Sequence, residues 1–109
     1  MAVTTQNLFF NIGDSYTFNC LAQDYQQTVI NLTGATLACV ATRTPPSDTL
    51  FSGTCTVVSN PLGTFTVNFT SASTTDLPNF PQEVFYTVTV TKSGQTYTVQ
   101  SGSIYLSPK

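Results

Sequence analysis

The sequence predicts an all-β domain, and three observations carry that expectation. Runs of strict apolar/polar alternation recur along the chain, as half-buried strands require. Turn signals separate the runs at a spacing of roughly ten residues. The polar positions are dominated by threonine: 21 of the 109 residues are Thr, eight carry a charge and none is His. The branched Cβ of threonine suits extended backbone and supplies polarity without charge. Charged residues make up 7% of the chain, against about 25% in an ordinary soluble domain.

The elements follow in order. Val3, Leu8, Phe9, Phe10 and Ile12 give the first dozen residues an apolar character. Residues 1–12 are read either as an edge strand over the domain's own core or as an arm that reaches a neighbouring subunit. Residues 13–109 form a single β-sandwich domain. Ile12-Gly13-Asp14 is a turn. Ser15 to Leu21 alternates Tyr16, Phe18 and Cys20 against Thr17 and Asn19. Leu32-Thr33-Gly34 is the next turn, and Thr36 to Arg43 a second strand. Thr44-Pro45-Pro46-Ser47 is read as an exposed loop, because neither proline can donate to a ladder. Thr54 to Ser59 is a third strand, and Asn60-Pro61-Leu62-Gly63 a turn with proline and glycine in their favoured places.

Thr64 to Thr70 gives the clearest alternation, with Phe65, Val67 and Phe69 inward. Ser71 to Leu77 resists a strand reading. It predicts one helical or 3₁₀ turn, opened by a hydroxyl cap and stopped before Pro78, that carries the chain between sheets. Val84 to Lys92 is a strand with Tyr86, Val88 and Val90 inward. Lys92-Ser93-Gly94-Gln95 is a tight hairpin. Gln95 to Gln100 and Gly102 to Leu106 complete the set. Seven strands, or eight with the arm, predict a two-sheet sandwich of immunoglobulin-like layering with one short helical turn. The Cys…Trp…Cys signature of true immunoglobulin domains is absent, so the likeness is one of architecture.

A chain of 109 residues makes one domain. Its net charge of −2 and pI near 4.4 offer no basic track for phosphates, which argues against nucleic acid. No apolar run approaches the ~20 residues of a spanning helix, so no membrane association is expected. The opening Met-Ala-Val-Thr-Thr-Gln-Asn lacks the cationic and apolar regions of a secretion signal, and synthesis and use without export are expected. Cys20, Cys39 and Cys55 show no Cys-x-x-Cys spacing and have no histidine beside them, so a zinc site is not expected. Each sits at an inward parity and reads as a reduced core residue, as in a reducing cytosol.

Catalysis is not expected. A nucleophile needs a base, and the cations ahead of the last residue are Arg43 and Lys92, the latter expected to be solvated beside its hairpin. Asp14, Asp24, Asp48, Asp76 and Glu83 are scattered in or next to turns, where Asp is favoured for local reasons. No Asp-x-Asp spacing supports calcium, and no cofactor motif is present. Asn31-Leu32-Thr33 and Asn68-Phe69-Thr70 match the glycosylation pattern by chance in a threonine-rich chain. Tyr16, Tyr86 and Tyr97 share parity with core residues, whereas Tyr25 and Tyr105 are the tyrosines expected to be exposed. The candidate protein-interaction residues are Val3, Leu8, Phe9, Phe10, Ile12, Tyr25, Pro45, Pro46 and Tyr105. An exposed aromatic row would instead favour a carbohydrate-binding, adhesin-like domain.

Two stretches carry a resemblance. The first runs Gly13-Asp14-Ser15-Tyr16-Thr17-Phe18, then Gln23-Asp24, then Ile30-Asn31-Leu32-Thr33-Gly34-Ala35-Thr36. The second runs Gly63-Thr64-Phe65-Thr66-Val67, then Thr70-Ser71-Ala72-Ser73-Thr74-Thr75-Asp76-Leu77, then Tyr86-Thr87-Val88-Thr89-Val90, Ser93-Gly94 and Gly102-Ser103-Ile104. Their order resembles the small β-sandwich at the N-terminus of upper baseplate proteins of tailed bacteriophages, and the related domains of head-fibre and capsid-decoration proteins. The Leu-Thr-Gly-Ala turn and the Thr-Ala-x-x-Thr-x-x-Leu turn weigh most. Asn31 stands where the family commonly has aspartate, and Pro78-Asn79-Phe80-Pro81-Gln82-Glu83 replaces a shorter Gly-x-Tyr lead-in. The resemblance spans residues 13–106. It implies a virion structural protein without enzyme activity, assembled in the host cytoplasm, with the major capsid protein or other virion proteins as partners.

Baseplate and fibre proteins carry this domain ahead of further chain, whereas here Lys109 follows closely on the last strand. A capsid decoration or cement protein is therefore the leading expectation. A baseplate or tail-fibre attachment module is the alternative. By analogy with decoration proteins a homo-oligomer is expected, a trimer over local three-fold axes.

Overall fold

The computed structural model describes residues 4–23, 28–44, 47–75 and 77–109. Val3, Tyr25, Pro45 and Pro46, together with the expected loop at the two prolines, lie outside the described residues. The fold is all-β. Its strands are β1 (Thr4–Thr5), β2 (Leu8–Asn11), β3 (Tyr16–Leu21), β4 (Thr36–Thr44), β5 (Ser47–Ser59), β6 (Thr64–Phe69), β7 (Gln82–Lys92) and β8 (Gln95–Ser107). One turn of helical backbone, α1 (Ser71–Thr74), lies between β6 and β7.

The hydrogen-bonded path is continuous, in the order β1-β8-β7-β4-β5-β6-β3, with β2 also on β8. The two expected sheets are therefore joined, and β5 joins them. Its first half pairs with β4 as far as Gly53 opposite Cys39, and its second half pairs with β6 from Thr54 opposite Asn68. The change of partner brings the strand close over the core at Gly53. A Cβ there would lie 2.6 Å from Val67 Cγ1 and 3.1 Å from Phe69 Cε1, so only glycine fits without displacement. Register shifts at Ala41/Thr42, Val57/Ser59 and Val88/Thr89 add the local twist that bulges bring. The sheet curls back on itself, nearly barrel-like.

The core fills the curl. Phe18 meets Tyr86 edge-on at 5.6 Å, and Phe51 meets Phe69 edge-on at 5.3 Å, geometries that suit aromatic quadrupoles. Phe65, Val67, Val84, Val88, Val90 and Ile104 are fully buried around them.

The N-terminal segment belongs to this sheet. β1 and β2 both run parallel to β8, with Thr4 opposite Gln100 and Leu8 opposite Ile104. Leu8, Phe10 and Ile12 point inward and are buried, and Phe10 stacks on Tyr16 at 5.0 Å. As interaction candidates these three are corrected: burying them in their own core removes them from contact with a neighbour. Tyr86 fastens the segment. Its hydroxyl donates to the Gln6 carbonyl at 2.7 Å and accepts from Gln100 Nε2 at 2.9 Å. The Gln6 carbonyl approaches Gly102 so closely that a Cβ there would sit 2.1 Å away.

Three local features depart from the sequence expectation. The Ser47–Gly53 half of β5 is strand, although its apolar residues Leu50 and Phe51 are adjacent and do not alternate. Gln95 to Leu106 is one strand, not two, because the small Ser101-Gly102-Ser103 stretch interrupts the pattern and not the ladder. Thr70, at the N-cap position of α1, makes no capping bond with its side chain. The turn is tied down instead by buried Thr74, whose Oγ1 accepts the Gly13 N–H at 2.8 Å. At the β7–β8 hairpin Ser93 and Gly94 both have positive φ, 55° and 77°, as a type I′ turn demands.

Candidate interaction surface

The register of β2, β8 and β7 assembles one outward face. Alternation puts Thr5, Asn7 and Phe9 outward, and pairing sets Ser101, Ser103 and Tyr105 of β8 beside them. β7 continues the rows with Thr87, Phe85 and Glu83. Phe9 and Tyr105 stack at 5.1 Å with planes 14° apart. Phe9 is 68% exposed and Tyr105 37%, so the pair spends apolar area on solvent. Phe10, one residue on, is buried by the same alternation.

Next to the pair lies a shallow groove of about 340 Å³. Its floor is the small Ser101-Gly102-Ser103 stretch, and its walls are Phe85 and Thr87 on one side, Thr5 and Asn7 on the other. Asn7 Oδ1 accepts the Ser103 N–H at 3.2 Å, which fixes the amide on the rim. Among the described residues no charged side chain lines the groove; Glu83 stands beyond it, opposite Tyr105. A second open cleft of about 410 Å³ is lined by Asn11, Ile12, Gly13, Asp14, Thr75 and Lys109.

The thiols are poorly placed for chemistry. Cys20, Cys39 and Cys55 are all free. Burial, and to a lesser degree the neighbouring thiols, push Cys20 and Cys39 up to about 12. Burial also raises Cys55, which is only half covered. Thiolate is the reactive form, so at neutral pH these side chains behave as small apolar groups. Among the described residues no three His, Cys, Asp or Glu side chains gather to hold a metal ion. No described helix is long and apolar enough to cross a membrane.

Tyr86 is buried, Tyr16 and Tyr97 are partly covered, and the Tyr97 hydroxyl donates to Gln95 Oε1 at 2.6 Å. Lys92 is not merely solvated: its ammonium donates to the Asn31 carbonyl and ties the β7–β8 hairpin to the turn before β4. The structure also holds an exposed apolar group that sequence reasoning missed. Val58 and Leu62 are about two-thirds exposed at the β5–β6 end, and Leu21 and Val29 are 43% and 41% exposed. Gly63 brings Val29 against this turn, and Ala22 donates to the Gly63 carbonyl at 2.8 Å. The signals were there: Leu62 sits inside a Pro-Leu-Gly turn, and Val57-Val58 breaks alternation. No protein-family model matches the chain, and no curated protein matches it at a significant level.

Proposed function

We propose that the chain is a non-enzymatic structural module that attaches to neighbouring protein by uncharged contact. In the setting its resemblance implies, it is a tailed-bacteriophage virion protein that decorates or cements the capsid lattice. The carrying observation is the exposed Phe9–Tyr105 stack on a surface with so few charges. Exposed aromatic pairs supply apolar contact area at low conformational cost, as interface anchors do. The two arms of the curled sheet take the place of the layers of an immunoglobulin-like sandwich. Baseplate or tail-fibre attachment uses the same contact chemistry and differs in copy number, tens per particle against hundreds for a lattice coat.

The test is binding of the purified chain to undecorated phage heads at rising salt. Screening weakens contacts between charges and leaves apolar contact in place. Binding is expected to persist across a tenfold salt increase and to fall when Phe9 and Tyr105 are both changed to Ser. Loss of wild-type binding with salt, or full binding by the double variant, refutes the reading. A second reading, carbohydrate binding, is favoured by the neutral groove beside Phe85. Saturable quenching of tyrosine fluorescence by a neutral oligosaccharide, abolished by Asn7→Ala, supports it.

A further inference from the structure

The described strands leave the sheet with two ends of different build. At the β8 end the outer partner is broken into β1, two residues, and β2, four residues, separated by Gln6 and Asn7. Short, interrupted edge strands are a standard defence against unwanted pairing. The other end is β3. It is six residues long, pairs with β6 alone among the named strands and keeps perfect register from Tyr16–Phe69 to Leu21–Thr64.

β3 carries none of the usual edge defences: Tyr-Thr-Phe-Asn-Cys-Leu has no charge, no proline and no bulge. Its outward side chains, Thr17, Asn19 and Leu21, are all exposed. In an antiparallel ladder alternate residues direct their backbone groups to opposite sides. Ala22 donates towards β6, to Gly63, so Tyr16, Phe18 and Cys20 share that side. The N–H and C=O groups of Thr17, Asn19 and Leu21 therefore face away from β6.

We infer that β3 is a pairing edge and that its occupant is β3 of a second copy of this chain, joined antiparallel about a two-fold axis. A two-fold pairing sets each residue against another from the same strand. A strand with no charge meets no like-charge repulsion when it does so. The outward hydroxyl, amide and apolar groups tolerate one another across the seam. Leu21, exposed at the strand's end, gains cover from the partner. Two six-residue strands bury less than the ~1,000 Å² of a lasting interface, so the pair forms in proportion to concentration in solution. Two-fold pairing is a different geometry from the three-fold cluster that the resemblance implies. It does not depend on the capsid reading, and its test needs no capsid.

The experiment follows backbone amide shifts of the purified chain by NMR from about 20 μM to about 1 mM, the range in which so small an interface exchanges, with sedimentation velocity beside it. The expected result is a concentration-dependent shift centred on Thr17, Asn19 and Leu21 and a rise in weight-average mass. Asn19→Lys places like charges across the seam while leaving the β6 ladder intact. It is expected to abolish both effects at an unchanged melting temperature. Thr66→Lys, on the neighbouring interior strand, is the control and is expected to leave them in place. Shifts centred on Phe9 and Tyr105, or no concentration dependence at about 1 mM, overturn the inference. Loss of capsid binding with intact self-pairing instead counts against the proposed function alone.

Discussion

Tyr86→Phe isolates the fastening of the N-terminal segment. It removes one oxygen from a side chain that is 1% exposed and keeps the ring that packs on Phe18. Two hydrogen bonds go: the donation to the Gln6 carbonyl at 2.7 Å and the acceptance from Gln100 Nε2 at 2.9 Å. Gln100 is 4% exposed, and its remaining contact, Gln6 Oε1, stands at 3.5 Å. A net hydrogen bond is worth about 1 kcal/mol, and a stranded buried donor costs more. The loss is about 2–3 kcal/mol. Unfolding entropy of about 2.1 cal/mol/K per residue converts this to a fall in Tm of about 9–13 °C for a domain this size. Calorimetry reads the shift, and amide exchange locates it, with protection lost first in β1 and β2. Tyr97→Phe is the control, because its hydroxyl donates to an exposed glutamine, and it is expected to move Tm by less than about 2 °C. An equal response of the two variants, or protection lost evenly across the sheet, refutes the reasoning.

Four other outcomes follow from the same geometry. Gly53→Ala forces a methyl to within 2.6 Å of Val67 Cγ1 and is expected to cost about 1–3 kcal/mol by urea denaturation. Ser93→Asn suits the positive φ at that hairpin position and is expected to raise stability by a few tenths of a kcal/mol. Alkaline pH should destabilise the fold through Cys20 and Cys39, whose thiols rise from 9.0 to about 12. Below pH 9 both states keep these protons and stability is full. Between about 9 and about 12 the unfolded chain releases them while the folded chain holds them, so stability falls by up to about 1.4 kcal/mol per pH unit for each thiol. Urea midpoints at pH 8 and 10.5 measure the fall, and Cys39→Ala should flatten it. In native protein a thiol reagent should reach half-covered Cys55 before the other two.

Much of the fold was legible because burial and alternation coincide. Tyr16, Phe18 and Cys20, or Phe65, Val67 and Phe69, each state one face of one strand, and the turns at Asn60–Gly63 and Lys92–Gln95 state where strands end. The joining of two halves through β5 was not legible. It depends on Gly53, whose meaning is a distance to Val67 that no local pattern encodes. The parallel docking of β1 and β2 was open for a similar reason. Leu8, Phe10 and Ile12 look the same whether they cover their own core or a neighbour's, and the Tyr86 hydroxyl that helps fasten the segment is 80 residues distant in sequence. Of the surface candidates, Tyr105 reads as outward from parity, whereas nothing in the sequence reading separated exposed Phe9 from buried Leu8, Phe10 and Ile12. Val58 and Leu62 were not among those candidates: what marks them is a break in alternation and a turn tip, not parity.

The parallel run of β1 and β2 along β8 has a mechanical corollary. Tension applied through the two chain ends drags these strands lengthwise in opposite directions. Every rung between Thr4 and Ser107 then shares the load, and none can be peeled away singly as in a hairpin pulled open from its mouth. A chain gripped at both ends would yield late and all at once. Stretching the β7–β8 hairpin by its own feet would unzip it rung by rung at far lower force.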